Sequence, residues 1–194
     1  PAWNLSDLYV SITDPKIEAQ LTKCKRQAEL FQKTYKGQLS KLAKQPATLK
    51  KVIKAYETLV QEYAKPQIYA ALVHAADSAN AENGAFMQKI DVRSLEISRA
   101  FLFFELELGT LPAATLKKLI ASKELANYAH YLSHIQQYQP HRLDHAREEL
   151  LNDLSVSSGG AFARLFNEEI SLLKFVAPGS KTKEPTISRE EVLH

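Results

Sequence analysis

Apolar residues recur at every third or fourth position along most of this chain, and that spacing restricts the fold more than any other feature. Asp14-Pro15 suits a helix start, because Asp accepts hydrogen bonds from free N–H groups and Pro has no N–H to lose there. The stripe that follows predicts an amphipathic helix, with Gly37 at its C-terminal end; it comprises Ile17, Leu21, Cys24, Ala28, Phe31 and Tyr35.

Further stripes of the same period predict more helices. One follows Pro46 and reaches Tyr63, where Lys65-Pro66 is expected to break or kink it. A segment over 67–79 is expected to bury Ile68, Leu72 and Ala75, and the polar stretch DSANAENG at 77–84 predicts a junction. The remaining predicted helices span 85–108, 113–121, 123–138, 144–155 and 159–171.

The fold class follows from this helical pattern. Only 6 of the 194 residues are glycine, which leaves few tight turns and favours long helices. LLKFVA at 172–177 and EPTIS at 184–188, around Pro178-Gly179, are the only segments that look extended, and they predict a hairpin. We therefore predict an all-α, mostly antiparallel multi-helix bundle with a small β-hairpin near the C-terminus. Residues 1–171 are expected to form the helical domain, and 172–194 a hairpin and helix start that lead into a further domain.

Composition excludes several classes of protein. The single cysteine cannot form an internal disulfide, so a secreted disulfide framework is excluded and a cytoplasmic location is expected. The longest apolar run, at 68–73, is far shorter than the ~20 residues of a membrane span. The chain begins at Pro1 and ends in REEVLH, which reads as the first turn of a helix. We therefore expect it to be a piece of a longer protein.

Positive charge is concentrated in residues 16–54, which hold eleven Lys or Arg and two Glu. Such a region can contact nucleic acid or an acidic partner. Because the basic residues lie mostly off the apolar stripe, a solvated helix face is the simpler interpretation. A stand-alone helical binding module that uses this region stays the alternative function.

Two histidine pairs are the first candidates for a metal site. His130 and His134 are four residues apart, as are His141 and His145, with Glu149 continuing the second pair. The zinc-peptidase motif HExxH needs Glu directly after the first His, and neither pair has it. We therefore assign no metal ligand in this chain.

Other candidate residues have simpler structural interpretations. Cys24 lies on an apolar stripe and is expected in the core rather than as a nucleophile. Asp77, Asn80 and Asn83 are residue types of a calcium loop, but their spacing and the glycine position differ from that loop. Ser-Ser-Gly-Gly at 157–160 could offer amides to a phosphate, but a helix cap and break explains it better. We therefore assign no catalytic or cofactor-binding residue.

Several segments, taken in order, resemble one family of peptidases. The most specific is 128–151, a Tyr-rich helix followed by residues that match the family pattern, with Asp144 in place of a Ser; the matches are Pro140, His141, Leu143, Glu148, Glu149 and Leu151. WNLSDLY, FQKTYKGQL, IYAALVHAADSAN, FFELEL and AFARLFNEE also fit, at 3–9, 31–39, 68–80, 103–108 and 161–169. Together they resemble the N-terminal part of oligoendopeptidase F, a thimet-oligopeptidase-like zinc peptidase.

This resemblance implies a function for the longer protein rather than for this segment alone. The family's HExxH helix and further zinc ligand lie in its C-terminal half, so zinc is expected in the full-length parent and not here. The segment is expected to enclose the substrate, with short peptides as substrates and the catalytic domain of the same chain as its partner. Neither a membrane nor nucleic acid is expected as a partner.

Overall fold

The computed structural model describes residues 4–173, 175–176 and 186–187. This part of the chain is built from helices, which confirms the all-α, multi-helix prediction. They are α1 (Pro15–Tyr35), α2 (Leu39–Leu42), α3 (Pro46–Ala76), α4 (Ala81–Gly109), α5 (Ala113–Ile120), a 3₁₀ helix (Lys123–Tyr128), α6 (Ala129–Tyr138), a second 3₁₀ helix (Gln139–His141), α7 (His145–Leu154) and α8 (Gly159–Leu172).

The N-terminal end of α1 follows the predicted chemistry. Asp14 is the N-cap, and its Oδ1 accepts a hydrogen bond from the Lys16 N–H at 2.9 Å. At the other end Gly37 adopts a φ of 77°, a left-handed conformation that favours glycine. The predicted stripe of α1 is buried except for Tyr35, which packs half-buried against Phe31.

The core lies where α1, α3 and α4 pack against one another. Its centre is aromatic: the rings of Tyr56 and Phe104 are 4.4 Å apart, and Phe31 contacts both Phe103 and Phe104. Full burial of such side chains contributes roughly 1.5–3 kcal/mol each. The apolar end of α4 therefore runs through the middle of the bundle, as its sequence predicted.

Lys65-Pro66 was predicted to break or kink the helix, and the break is wrong, because the 31-residue helix α3 contains Pro66. Proline has no N–H to donate to the carbonyl of Glu62, four residues earlier. The side-chain amide of Gln20 on α1 donates to that carbonyl instead, at 2.9 Å. Tertiary packing thus replaces the bond that the helix lacks.

This continuity also changes which face of the segment after Pro66 is buried. The buried stripe of α3 runs through Leu59, Pro66, Tyr69, Ala70 and His74. The predicted burial is wrong for Ile68, which is 53% exposed, and for Ala75, which is exposed, whereas Leu72 is half-buried.

Smaller differences concern the ends of elements. Helix α4 begins at Ala81 rather than 85, because Asn80 caps it by accepting from the Glu82 N–H at 2.9 Å. The segment predicted as a helix over 123–138 is a 3₁₀ turn followed by α6.

The predicted hairpin falls largely outside the described residues. The structure gives two-residue strands, β1 (Phe175–Val176) and β2 (Thr186–Ile187), which pair antiparallel, with Phe175 opposite Ile187. The Pro178-Gly179 turn and the Ser188 capping box lie outside the described residues, so a hairpin is not supported beyond this pair.

Candidate functional site

A group of four interacting polar residues surrounds Arg142, just after the second 3₁₀ helix. Its Nη1 donates to the backbone carbonyl of Glu105 on α4, and its Nη2 lies 3.5 Å from Glu105 Oε2. Glu105 Oε1 also accepts from the hydroxyl groups of Tyr131 at 3.2 Å and Tyr56 at 3.4 Å. We call these four residues the Arg142 cluster. It joins α3, α4 and α6 to the segment that leads into α7.

The two tyrosines of this cluster act as hydrogen-bond donors. Burial, and then the charge of Glu105, raises the pKa of Tyr56 and the pKa of Tyr131 above their usual range. Both phenols therefore stay protonated at neutral pH. Their hydroxyl groups donate to Glu105 and help to fix its carboxylate.

The motif around Arg142 also builds the start of α7. Asp144 is the N-cap, and its Oδ1 accepts from the Arg147 N–H at 3.0 Å. Glu148 Oε1 accepts from the Leu143 N–H at 2.9 Å. Sequence reasoning missed Arg142: both of its neighbours, His141 and Leu143, are exposed, whereas Arg142 turns inward.

Two polar clefts separate α7 and α8 from the helices beneath them. One of about 340 Å³ is lined by residues of α3, α4 and α7, among them Ser94 and Asn152. The other, of about 620 Å³, lies beside His74 at the end of α3. Within the described residues Ser94 Oγ, Asn152 Nδ2 and both ring nitrogens of His74 are buried without a hydrogen-bond partner.

Asp91 is an acidic residue of α4 that lines the smaller cleft. Burial raises the pKa of its carboxyl, and the nearby positive charge of Arg164 and the ring of His74 oppose that rise. The contact between α4 and the α7–α8 layer is therefore polar and incompletely satisfied.

The structure does not bring the predicted histidine pairs together into a ligand set. His130, His134, His141 and His145 are all exposed, and the ring of His134 stacks on Tyr138 at 4.4 Å. Across residues 4–173 and the two short strands, no group of three His, Cys, Asp or Glu is placed to hold a metal ion.

Cys24 lies in the core, as expected for a residue of the α1 stripe. It is fully buried, and that burial raises the pKa of its thiol, with the charge of Glu62 as a smaller cause. The thiolate needed by a nucleophile is therefore disfavoured.

The other singled-out polar residues stabilise helix ends. Asn80 is the cap of α4, and Asn83 Nδ2 donates to the Asp77 carbonyl at 3.2 Å and to the Val73 carbonyl at 3.3 Å. The hydroxyl group of Ser158 donates to the Leu154 carbonyl at the end of α7, at 2.7 Å. These contacts agree with the structural interpretations of both segments.

The basic residues of 16–54 lie on the surface. Lys25 is half-buried and pairs with Glu96 at 2.8 Å, and the other ten are exposed. The aromatic side chain of Phe31 is buried, and that of Tyr35 is half-buried against it, so neither offers the open ring face on which a nucleic-acid base stacks. This placement supports the solvated-face interpretation.

Comparison with known proteins places this geometry in context. The Peptidase_M3_N family model, described as Oligopeptidase F, matches residues 107–175. The chain is 24% identical over 174 residues to "Oligoendopeptidase F, plasmid" of Lactococcus lactis subsp. cremoris. The resemblance to the oligoendopeptidase F family is confirmed. "Oligoendopeptidase F homolog" of Lactococcus lactis subsp. lactis (strain IL1403) matches over the same length with the same identity.

The alignments cover most of this chain but only a small part of each relative. The alignment includes 88% of this chain but 28% of each relative, so the chain spans little more than a quarter of the length of the curated relatives it matches. No solved structure matches. The part matched to Oligopeptidase F contains Arg142, α7 and α8. Among the described helices, none is long and apolar enough to cross a bilayer.

Proposed function

We propose that this chain is the N-terminal, substrate-enclosing domain of a zinc-dependent oligoendopeptidase that hydrolyses peptide bonds in short peptides. The observation that carries the proposal is the alignment to two oligoendopeptidase F proteins over 88% of this chain. The domain comprises residues 1–171, and 172–194 lead into the catalytic domain of the same chain, in a cytoplasmic enzyme.

The division of labour between the two domains rests on what this sequence contains. Its 194 residues include no HExxH, the motif that supplies two zinc ligands and a general base. Its exposed histidine pairs lack a third donor within the described residues, so they do not fit a zinc site. We therefore assign no step of peptide hydrolysis to the residues of this chain.

The contribution of this domain is shape and rigidity. The Arg142 cluster ties the segment before α7 to the core helices α3 and α4. The aromatic core holds α1, α3 and α4 together. A stiff wall of this kind limits which peptides enter a cavity, because a folded protein cannot pass it and an unfolded short peptide can.

The proposal is tested on the full chain encoded by the reading frame. Hydrolysis of a short internally quenched peptide is measured with and without a zinc chelator, and again after zinc is restored. Reduced casein serves as a long unfolded substrate in parallel. We expect chelator-sensitive cleavage of the short peptide by the full chain, slower cleavage of casein, and no cleavage by residues 1–194 alone.

Two results would contradict the proposal. Cleavage by residues 1–194 alone would place the chemistry within this chain. A full chain that leaves the peptide intact with zinc supplied would remove the peptidase assignment.

A further inference from the structure

Helix α7 turns its polar side toward the bundle. Asn152 Oδ1 accepts from the Ser98 hydroxyl on α4 at 3.2 Å, and Asp153 Oδ1 accepts from Arg99 Nε on α4 at 3.1 Å. The leucines of α7 lie on the other side and are 44–57% exposed: Leu150, Leu151 and Leu154.

Helix α8 has the same orientation. Arg164 and Glu168 line a cleft with α4, where Glu168 comes so close to Gly84 that an added Cβ would lie 3.3 Å from its Oε1. Asn167 and Ser171 line the cleft beside His74. Ile170 is half-buried and lines the same cleft. Four large apolar side chains of α8, and Leu173 directly after it, are 50–72% exposed: Phe162, Leu165, Phe166, Leu172 and Leu173.

We call the exposed apolar residues of both helices the α7–α8 apolar face. No residue of α7 or α8 is buried. The eight residues lie on or directly after the two helices, and at roughly 100 Å² for a half-exposed large side chain they expose several hundred Å² of apolar surface between them. The largest apolar patch on a typical monomer covers about 300–600 Å². A face of this size is expected to be covered by another part of a protein.

The inner contacts of this layer do not compensate for that exposure. Ser94, Asn152 and His74 leave buried polar atoms without partners within the described residues, and such atoms weaken an interface. The two helices are therefore held to the bundle by polar contacts and need a second, apolar partner on their outer side.

We infer that the α7–α8 apolar face is the docking surface for the part of the oligoendopeptidase chain that follows residue 194. This inference rests on the proposed function, since it requires that longer chain. The aligned region is 28% of each relative, so most of the relative's length lies outside it. The face lies on the last two helices that the structure describes.

Two other occupants fit the surface less well. Helices that lie on anionic membranes carry Lys and Arg on their polar side, whereas α8 carries Arg164 with Glu168 and Glu169. A second copy of the chain would bury the same face in a concentration-dependent way. Interfaces between domains of one chain bury about 600–1,500 Å², a range compatible with a face of several hundred Å².

Cysteine accessibility tests the inference directly. The native Cys24 is fully buried, so a thiol introduced elsewhere can be followed with little background. Phe166→Cys and Leu151→Cys place thiols on the face. Leu30→Cys is the matched control, because Leu30 is an apolar residue on a different helix, α1, and is 63% exposed.

The rate of maleimide modification is measured for each variant in residues 1–194 and in the full chain. We expect all three thiols to react rapidly in residues 1–194. In the full chain, we expect Phe166→Cys and Leu151→Cys to react at least about tenfold more slowly, with Leu30→Cys unchanged. Equal rates at the face in both proteins would overturn the inference. Protection in residues 1–194 alone that increases with concentration would assign the face to a second copy and also overturn it.

The same proteins separate this inference from the proposed function. A full chain with chelator-sensitive peptidase activity but an unprotected face would refute the docking surface and leave the peptidase proposal intact. A full chain with a protected face but no peptidase activity would refute the peptidase proposal and leave the docking surface intact.

Discussion

The side chain of Gln20 is predicted to stabilise α3 at the point where Pro66 interrupts its hydrogen bonds. Gln20 Nε2 donates to the Glu62 backbone carbonyl at 2.9 Å and to Glu62 Oε2 at 2.8 Å. Without Gln20 the carbonyl would face a proline ring, and the half-buried site offers water limited access. We therefore expect Gln20→Leu to destabilise the protein.

The expected magnitude follows from the number of bonds lost. One net hydrogen bond contributes about 0.5–1.5 kcal/mol, and a partly buried acceptor left without a donor costs about 1–3 kcal/mol. Since Glu62 keeps some access to water, we expect a loss of about 1.5 kcal/mol. With a urea m-value of ~2 kcal/mol/M, the unfolding midpoint would fall by about 0.7 M.

A double-mutant cycle isolates the carbonyl from other effects of the substitution. Pro66→Ala restores an N–H that can donate to the Glu62 carbonyl within the helix. In that background the carbonyl no longer depends on Gln20. We expect Gln20→Leu to cost about 1 kcal/mol less there than in the natural chain.

Equal costs of Gln20→Leu in both backgrounds would refute this reasoning, because the amide would then act through something other than the proline-freed carbonyl. Gln27→Leu is the control substitution. Gln27 lies half-buried on the same helix, and within the described residues its side chain makes no hydrogen bond. Its replacement should shift the midpoint little.

Other measurements test the remaining features. Arg142→Met, which leaves a half-buried carboxylate, should lower the free energy of unfolding by about 2 kcal/mol; an unchanged urea midpoint would contradict this. Asp144→Ala should cost about 1 kcal/mol and speed amide exchange in α7. Burial raises the folded-state pKa of Asp91, so its contribution is fully present below the unfolded pKa and is lost as pH rises through the folded one. Asp91→Asn should therefore flatten the decrease in Tm as the pH rises above about 4. The region 16–54 should not bind single-stranded DNA at ~150 mM salt, as measured by fluorescence anisotropy.

The helices of the core were predictable because their apolar stripes face one another. The predicted stripe of α1 is buried except for the half-buried Tyr35, and the apolar side chains of α4 that pack against it are buried too, among them Phe101 and Phe104. Local signals at the ends were equally informative. Asp14 and Asp144 both cap a helix through the side-chain bond that their sequence position suggested.

Pro66 shows where local reasoning fails. The expectation of a break rested on the missing N–H, a cost that is real but that a neighbouring helix can offset. The donor is Gln20, which lies on α1, 46 positions before Pro66 in the sequence. No window of a few residues contains both partners, so the continuity of α3 and the burial of Tyr69 instead of Ile68 could not be predicted locally.

The Arg142 cluster was hidden for a related reason. Its members come from three helices and a connecting segment, and each is ordinary in its own local sequence. Pro140 and His141 drew attention because they match a family pattern, yet both are exposed. The residue that enters the structure is the variable position between them and Leu143.

Helices α7 and α8 show the same limit in the opposite direction. An apolar stripe indicates that a helix packs against an apolar partner, but it does not indicate that this partner lies in the same bundle. The stripe of α8, with Phe162 and Phe166, is as regular as that of α1, yet one is exposed and the other buried. What distinguishes them is the polar side of α8, where Arg164 and Glu168 face α4. Because the polar side of α8 faces its own bundle, the apolar side of the helix faces away from that bundle.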